Sequence, residues 1–441
     1  MARVAAPESS TSVQVSLRAA AALFLERQHF DRPRTRRLNA RTLLAFASDT
    51  GGIQLDSINV VDRAHYLTLW SRFGPYDKQA LDRLVYRRRL LFEYWAHAAC
   101  LVPADHFPSW RWVMNGYADR PRYRNWATWA KKNQRTVRAV EQAIQDRGPL
   151  ANADFERPNP RKSAGWWDRK PAAHALDYLW MSGRALVHSR RHFQKRFDLA
   201  ERVLPEAMSA APLVEEAFAR WHVRQSLHAM GAATEADLRG YLTFPSFTVA
   251  ERRRVVAEML AAGDIVEIEV EGVARRTGGG GRWLALTEDL PALAKAGRRR
   301  SPRGTTVLSP FDSLLWYRDR VRLLFGFDYK IQVYIPLAQR RHGYYLMPIL
   351  HDGQLIGRLD AKAWRDQRWL EVKTIQFEPW FAAGQAPPAA AWGRLDVDAA
   401  LVGLAEALRS LARFAGADRV TVARVSPAKL LSPLRRELGR N

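Results

Sequence analysis

The chain has 441 residues, of which 47% are apolar and 26% charged, with a formal net charge of +24 and one cysteine, Cys100. That length asks for roughly two to four domains, and the composition is that of a folded globular protein. A single cysteine excludes a disulfide framework or a cysteine-rich metal site, and no apolar run approaches the roughly 18 to 20 residues of a membrane span.

The opening MARVAAPESSTSVQVS lacks an apolar core of signal-peptide type, so a cytoplasmic protein is expected, nucleoid-associated if it acts on DNA. In the first segment, residues 14–125, periodicity predicts helices at 16–28, 40–50, 62–73 and 77–87. The strand IQLDSI falls between the second and third of these, and LLFEYW with AACLVP reads as a terminal strand pair.

The second segment, 126–205, opens with the helix WATWAKKNQRTVRAVEQAIQD and a short helix near 151–156. After the loop RPNPRKSAGWWDRK, Pro171 suits the first turn of the helix AAHALDYLWMSG, and ALVHSRRHFQKRFDLA reads as strand, basic turn, strand. The third segment, 206–295, repeats the layout more clearly. A helix at 213–229 is followed by a short helix with Thr234 as N-cap, then a helix from Thr248 to Gly263, then a hairpin with a glycine-rich tip at 278–281. Helix, turn, helix, helix and hairpin is the winged helix-turn-helix plan.

From 305 to 441 the period changes. KIQVYIPL, GYYLMPIL, QLIGRLDAKA and RWLEVKTIQF read as short strands of a small β-barrel or curled sheet, closed by a helix near 396–414 and the strand RVTVARV. The expected fold is therefore α+β: three tandem winged-helix units and a C-terminal β-barrel-like domain.

The positive charge is uneven. Lys and Arg outnumber Asp and Glu by 35 to 19 over residues 1–205, balance at 13 each over 206–300, and lead by 21 to 13 thereafter. A merely arginine-rich genome would not leave the middle neutral, so a polyanion partner is expected. Arg161, Lys162, Arg169 and Lys170, interleaved with Trp166 and Trp167, read either as a phosphate clamp or as a loop covering a helix. Arg190 and Arg191 sit on the second predicted wing, where charge favours backbone contact.

The sharpest local question is GGIQLDSINVVDRAHY, residues 51–66. On a strand, Gln54 and Asp56 project from one face, giving a carboxylate and an amide fit to activate and orient a water. Equally, Asp56 can turn the chain or begin a helix, with Ser57 and Asn59 sharing the capping. Ser57, Asn59, Arg63 and His65 stand nearby as candidates for DNA contact. No paired metal-ligand histidines, acyl-transfer motif or complete phosphate loop is present, so no metal or cofactor is expected.

Three stretches, IQLDSINVVDRAHYLTLWSRFGPYD, KSAGWWDRKPAAHALDYLWMSGRALVHSRRHFQKRFDLAERVLP and LSPFDSLLWYRDRVRLLFGFDYKIQVYIPLAQRRHGYYLMPIL, resemble the YcaQ/AlkZ family of winged-helix DNA glycosylases. Gln54–Leu55–Asp56 matches the Gln–apolar–Asp motif of its YcaQ branch. The resemblance implies a monofunctional glycosylase that removes N7-alkylated purines from double-stranded DNA and unhooks interstrand crosslinks, with Gln54 and Asp56 catalytic. A crosslinked base cannot turn into a closed pocket, so an open cleft at Asp56 is expected. The rival reading is a non-catalytic winged-helix transcriptional regulator. Without a coiled-coil segment for dimerisation, a monomer is expected.

Overall fold

A computed structural model describes residues 13–119, 123–155, 171–273, 282–340, 343–389 and 392–440. It has mixed α+β architecture, and its contacts gather into two compact units. One comprises residues 37–222 with 242–246; the other comprises 1–36, 223–241 and 247–441.

The unit that carries the Gln54–Asp56 motif begins with helix α1, Ala40–Thr50. Asn39 starts it reciprocally: its side chain accepts from the Thr42 N–H at 3.1 Å, and the Thr42 hydroxyl accepts from the Asn39 N–H at 3.0 Å. Gly51 ends the helix at φ 76°, in the left-handed region that glycine enters without cost. Gly52 follows at φ 144°, where a Cβ would meet the Leu101 carbonyl oxygen at 3.2 Å and Cys100 Cβ at 3.3 Å. The two glycines thus turn the chain from a helix directly into a sheet.

Strand β1 is only Ile53–Gln54, shorter than the expected IQLDSI. It pairs antiparallel with β3, Ala99–Pro103, which also pairs with β2, Leu91–Trp95, giving the order β1-β3-β2. Leu55 still donates to the Ala99 carbonyl at 2.8 Å, but Asp56 leaves the ladder because its own side chain takes over the turn. Leu43, Phe46, Ile53, Leu55, Leu69 and Phe73 form the core beneath. The expected third and fourth helices are α2, Ala64–Phe73, and α3, Lys78–Asp82, the latter continued by a π-helical turn to Arg87.

Farther along lies α4, Phe107–Asn115. The single helix expected over 126–146 is two, α5 (Arg124–Lys132) and α6 (Gln134–Arg147). The break falls at Asn133, whose amide donates to the Trp129 carbonyl at 2.8 Å and so competes with the helical ladder. Helix α7, Pro171–Met181, leads into the hairpin β4, Ala185–Arg191, and β5, Gln194–Leu199. The expected helix at 213–229 runs Glu215–Met230.

In the other unit, Leu17–Arg27 is helical as expected, and Thr248 caps the helix Val249–Ala261 with Glu251 completing the box. The Thr234 hydroxyl accepts from the Asp237 N–H at 3.2 Å at the start of the helix Glu235–Tyr241. Strands Ile265–Val270 and Trp283–Leu286 form the expected hairpin; the glycine tip at 278–281 lies outside the described residues. The strand Val13–Val15, which periodicity did not signal, pairs parallel with Ile265–Val270.

The C-terminal strands form an open five-stranded sheet rather than a closed barrel. Its order is Thr305–Val307, Leu346–His351, Gln354–Trp364, Trp369–Phe377 and Arg419–Ser426, the last pair parallel. The stretch KIQVYIPL is not a strand. Ile335 N–H turns back to the Gln332 carbonyl at 3.0 Å, and Pro336, which has no N–H to give a ladder, precedes the helical turn Leu337–Gln339. Val397–Phe414 is the expected helix, and Leu431–Gly439 is a further one. Among the described residues no helix is long and apolar enough to cross a membrane.

Candidate active site

Asp56 follows β1 and closes a turn on itself: its Oδ1 accepts from the Ile58 N–H at 2.7 Å. The side chain remains half-buried and lines a cleft of about 580 Å³ together with Ser57, Arg63, Asp177, Arg190 and Phe193. Burial raises the Asp56 carboxyl above its ordinary value; the Ile58 N–H and the Arg63 charge pull the other way. The carboxylate is therefore incompletely compensated, which suits a group that meets positive charge from outside. The Asp56 side chain both makes the turn and lines the cleft, so the turn does not exclude chemistry at its carboxylate.

Gln54 is placed differently. It is 9% exposed and does not line the cleft, although it stands only two residues before Asp56. The shared face expected of a strand fails because β1 stops at Gln54 and the backbone turns at Asp56.

The opposite wall of the cleft is the β4–β5 hairpin tip. His192 and Phe193 form its two-residue loop at φ 48° and 66°, both in the left-handed region. Such a turn ordinarily takes Asn-Gly, so a histidine and a phenylalanine there hold local strain. Phe193 is fastened by cations. The Arg63 guanidinium lies 4.0 Å from its ring centroid and that of Arg190 4.2 Å, while the His65 ring stacks at 6.1 Å and 20°. Arg63 also donates to the Ser57 carbonyl, which ties the hairpin tip to the Asp56 turn.

Arg190 is committed to the protein. Its Nε and Nη2 donate to the Glu93 oxygens at 2.7 and 2.6 Å, and its Nη1 donates to the Phe193 carbonyl at 2.6 Å. Glu93 is fully buried and also accepts from the Tyr86 hydroxyl at 2.7 Å. A fork–fork pair of this kind is strong and directional, and it leaves Arg190 little capacity for phosphate.

His65 is buried, with Nδ1 lacking a hydrogen-bond partner among the described residues. Burial pushes its pKa down to about 3, with Arg190, Arg63 and Lys78 adding repulsion. It is a neutral packing partner of Phe193, not a cationic contact. Ser57, Asn59 and Arg191 are exposed, as phosphate contact requires. Arg161, Lys162, Arg169 and Lys170 lie outside the described residues.

The structure thus brings Asp56, Ser57, Arg63 and Arg190 to one cleft and leaves Gln54 and His65 behind its walls. Glu93 and Asp177 escape a sequence reading. Lys195 and Phe193 both belong to the basic run SRRHFQKR, where charge is the signal for Lys195 and Phe193 stands out as the one apolar residue. Cys100 is buried, and its thiol is pushed up to about 12, so it stays protonated. Among the described residues, no group of three His, Cys, Asp or Glu side chains could hold a metal ion.

A family model described as DNA glycosylase AlkZ-like matches residues 47–414, most of the chain. The structure of Streptomyces sahachiroi DNA glycosylase AlkZ is similar over 94% of this chain and 100% of the other, with a TM-score of 0.60 and 19% identity. At that identity the likeness is one of fold.

Proposed function

Because the chain belongs to the AlkZ-like DNA glycosylase family, we propose that this DNA glycosylase hydrolyses the N-glycosidic bond of N7-alkylated purines and also unhooks crosslinks between strands. The observation that carries the proposal is Asp56, an under-compensated carboxylate opening on a broad cleft in a chain of net charge +24.

An N7-alkylpurine already carries positive charge, so its departure needs no strong acid. As it leaves, positive charge moves onto the deoxyribose. A carboxylate about 4 Å from that cation is worth on the order of 4 kcal/mol at an effective dielectric of 20. That energy corresponds to nearly a thousandfold in rate. Asp56 can then take the proton of the water that adds to C1′, a general-base step that leaves an abasic site. The basic surface holds DNA but disfavours a cationic transition state, so the carboxylate must supply the local negative charge.

Gln54 has no useful basicity. It is assigned the orientation of that water or of the sugar–phosphate by its amide, a role that requires DNA binding to expose it, since Gln54 is buried behind the cleft wall. Ser57, Asn59, Arg63 and Arg191 are assigned phosphate contacts, and so are Arg161, Lys162, Arg169 and Lys170 of the basic tryptophan loop. The helix–hairpin segments ending at Pro103, Leu199 and Leu286 are read as three winged-helix units that grip the duplex. An open cleft beside Asp56 suits a crosslinked purine, which both strands tether in place.

The test uses two duplexes, one with a single N7-methylguanine and one with a nitrogen-mustard crosslink, each heated in alkali after incubation. Breaks at the methylated base and separation of the crosslinked strands are expected. A crosslink left intact would remove unhooking, and no breaks in either duplex would remove the alkylpurine reading.

A further inference from the structure

Beside the Asp56 cleft lies a second recess of about 320 Å³, in the same unit. Among the described residues, six aromatic rings line it: Trp95, Tyr117, Tyr123, Trp126, Trp180 and Phe244. Tyr117, Trp180 and Phe244 are buried, whereas Tyr123 and Trp126 are half-buried and Trp95 is 38% exposed. Three large rings are thus partly exposed around one hollow, a cluster rather than a single surface aromatic. The rings are held by one another, with Tyr117 and Tyr123 stacked at 4.7 Å and Tyr123 at 5.7 Å from Phe244.

Two residues join this recess to the catalytic cleft, since Asp177 and Lys195 line both. The Lys195 ammonium sits 3.5 Å from the Trp180 ring centroid. Aromatic faces are what an unstacked base meets in single-strand binding sites, and here the junction adds a cation, Lys195, and a carboxylate, Asp177, beside the rings. The size is that of a small-ligand site at the lower end of the range, enough to admit one base. Asp56 does not line the recess, so a base held there leaves the cleft itself open.

We propose that this aromatic recess binds one nucleobase turned out of the duplex at or next to the damaged position. The proposal rests on the reading of the Asp56 cleft as the place where DNA is processed. It adds a specific contact by which distorted DNA is told from intact DNA: a weakly stacked or damaged step releases a base at lower cost.

The test is a binding cycle that needs no turnover. The ligand is a duplex carrying one uncleavable 7-methyl-7-deazaguanine, compared with duplexes in which that base, each neighbour and each opposing base is replaced in turn by a tetrahydrofuran abasic residue. Protein variants are Trp126→Ala and Trp95→Ala, both at the rim, with Trp126→Phe as the conservative control. Expected is an affinity loss of about tenfold for each alanine variant on the intact duplex. That loss should vanish when one particular base is absent, and Trp126→Phe should retain most of the affinity. Equal losses on every duplex, or no loss on any, would overturn the proposal. Base release from N7-methylguanine by the wild type is read separately. Its absence with the coupling intact would sink the alkylpurine reading alone, and its presence without coupling would sink the recess alone.

Discussion

The Arg63 guanidinium lies 4.0 Å from the centroid of the Phe193 ring, joining the turn that holds Asp56 to a hairpin tip 130 residues later in the chain. Arg190 holds the same ring at 4.2 Å and is itself locked on buried Glu93. The position of Arg63, whose charge lowers the Asp56 pKa, therefore depends on a strained phenylalanine.

Replacing Phe193 separates packing from strain. Phe193→Ala loses the ring and keeps the left-handed backbone, whereas Phe193→Gly also relieves φ 66°. Glycine should be the more stable of the two by about 1 kcal/mol, because it accepts that conformation freely. Both variants should lose kcat as Arg63 loosens. Thermal melts and single-turnover base release measure the two effects; an alanine variant as active as wild type would deny Phe193 a positioning role.

The acid limb of activity reports on Arg63. Burial raises the Asp56 pKa and the Arg63 charge lowers it, and the base must be ionised to work. Arg63→Gln removes a lowering influence, so the acid limb of kcat/KM should move to higher pH. A limb that stays in place or moves down would show that Arg63 does not act on Asp56.

Stability should change in the opposite sense to activity at Asp56. A carboxyl with a raised folded pKa stabilises the fold below its unfolded value, and that contribution is lost as pH rises through the folded pKa. Asp56→Asn should therefore raise the melting temperature at pH 7 and lose its advantage below the carboxylate range. Melting curves across pH measure this.

His65 acts in the other direction along the pH axis. Its folded pKa of about 3 lies below the unfolded value near 6.5, so the unfolded chain binds the proton more readily between them. Stability should fall as pH drops through that window, and His65→Phe should flatten the fall. A slope unchanged by the substitution would place the acid sensitivity elsewhere.

Neighbouring arginines on the hairpin should fail in different ways. Arg190→Ala strands Glu93 without its cation, a loss of about 3 kcal/mol in stability for a buried pair. Arg191 is exposed, and Arg191→Ala should leave melting unchanged while lowering the salt dependence of DNA binding by about one phosphate contact. Salt titrations of binding, with melts of both variants, distinguish the two.

The local features of this fold are legible because local chemistry sets them. Asn39, Gly51 and Thr248 mark helix ends through caps that lie within a few residues. The Asp56 turn is also local, but its carboxylate serves the turn and the cleft with the same atoms, so residue type alone cannot separate the two roles. KIQVYIPL has strand composition and still turns, because Pro336 and the Gln332–Ile335 turn decide its backbone. Glu93 and Arg190 meet across 97 residues, and nothing near either one announces the other. Residues 54 and 65 look like site residues by position, and only the depth of burial shows that neither faces the cleft as Asp56 does.

The most direct measurement is single-turnover release of 7-methylguanine from duplex DNA by wild type and Asp56→Asn, with duplex affinity measured alongside. A loss approaching a thousandfold in rate is expected for the variant, with affinity retained, because the amide has the shape of the carboxylate without its charge. Equal rates would contradict a role for the Asp56 carboxylate in breaking the glycosidic bond.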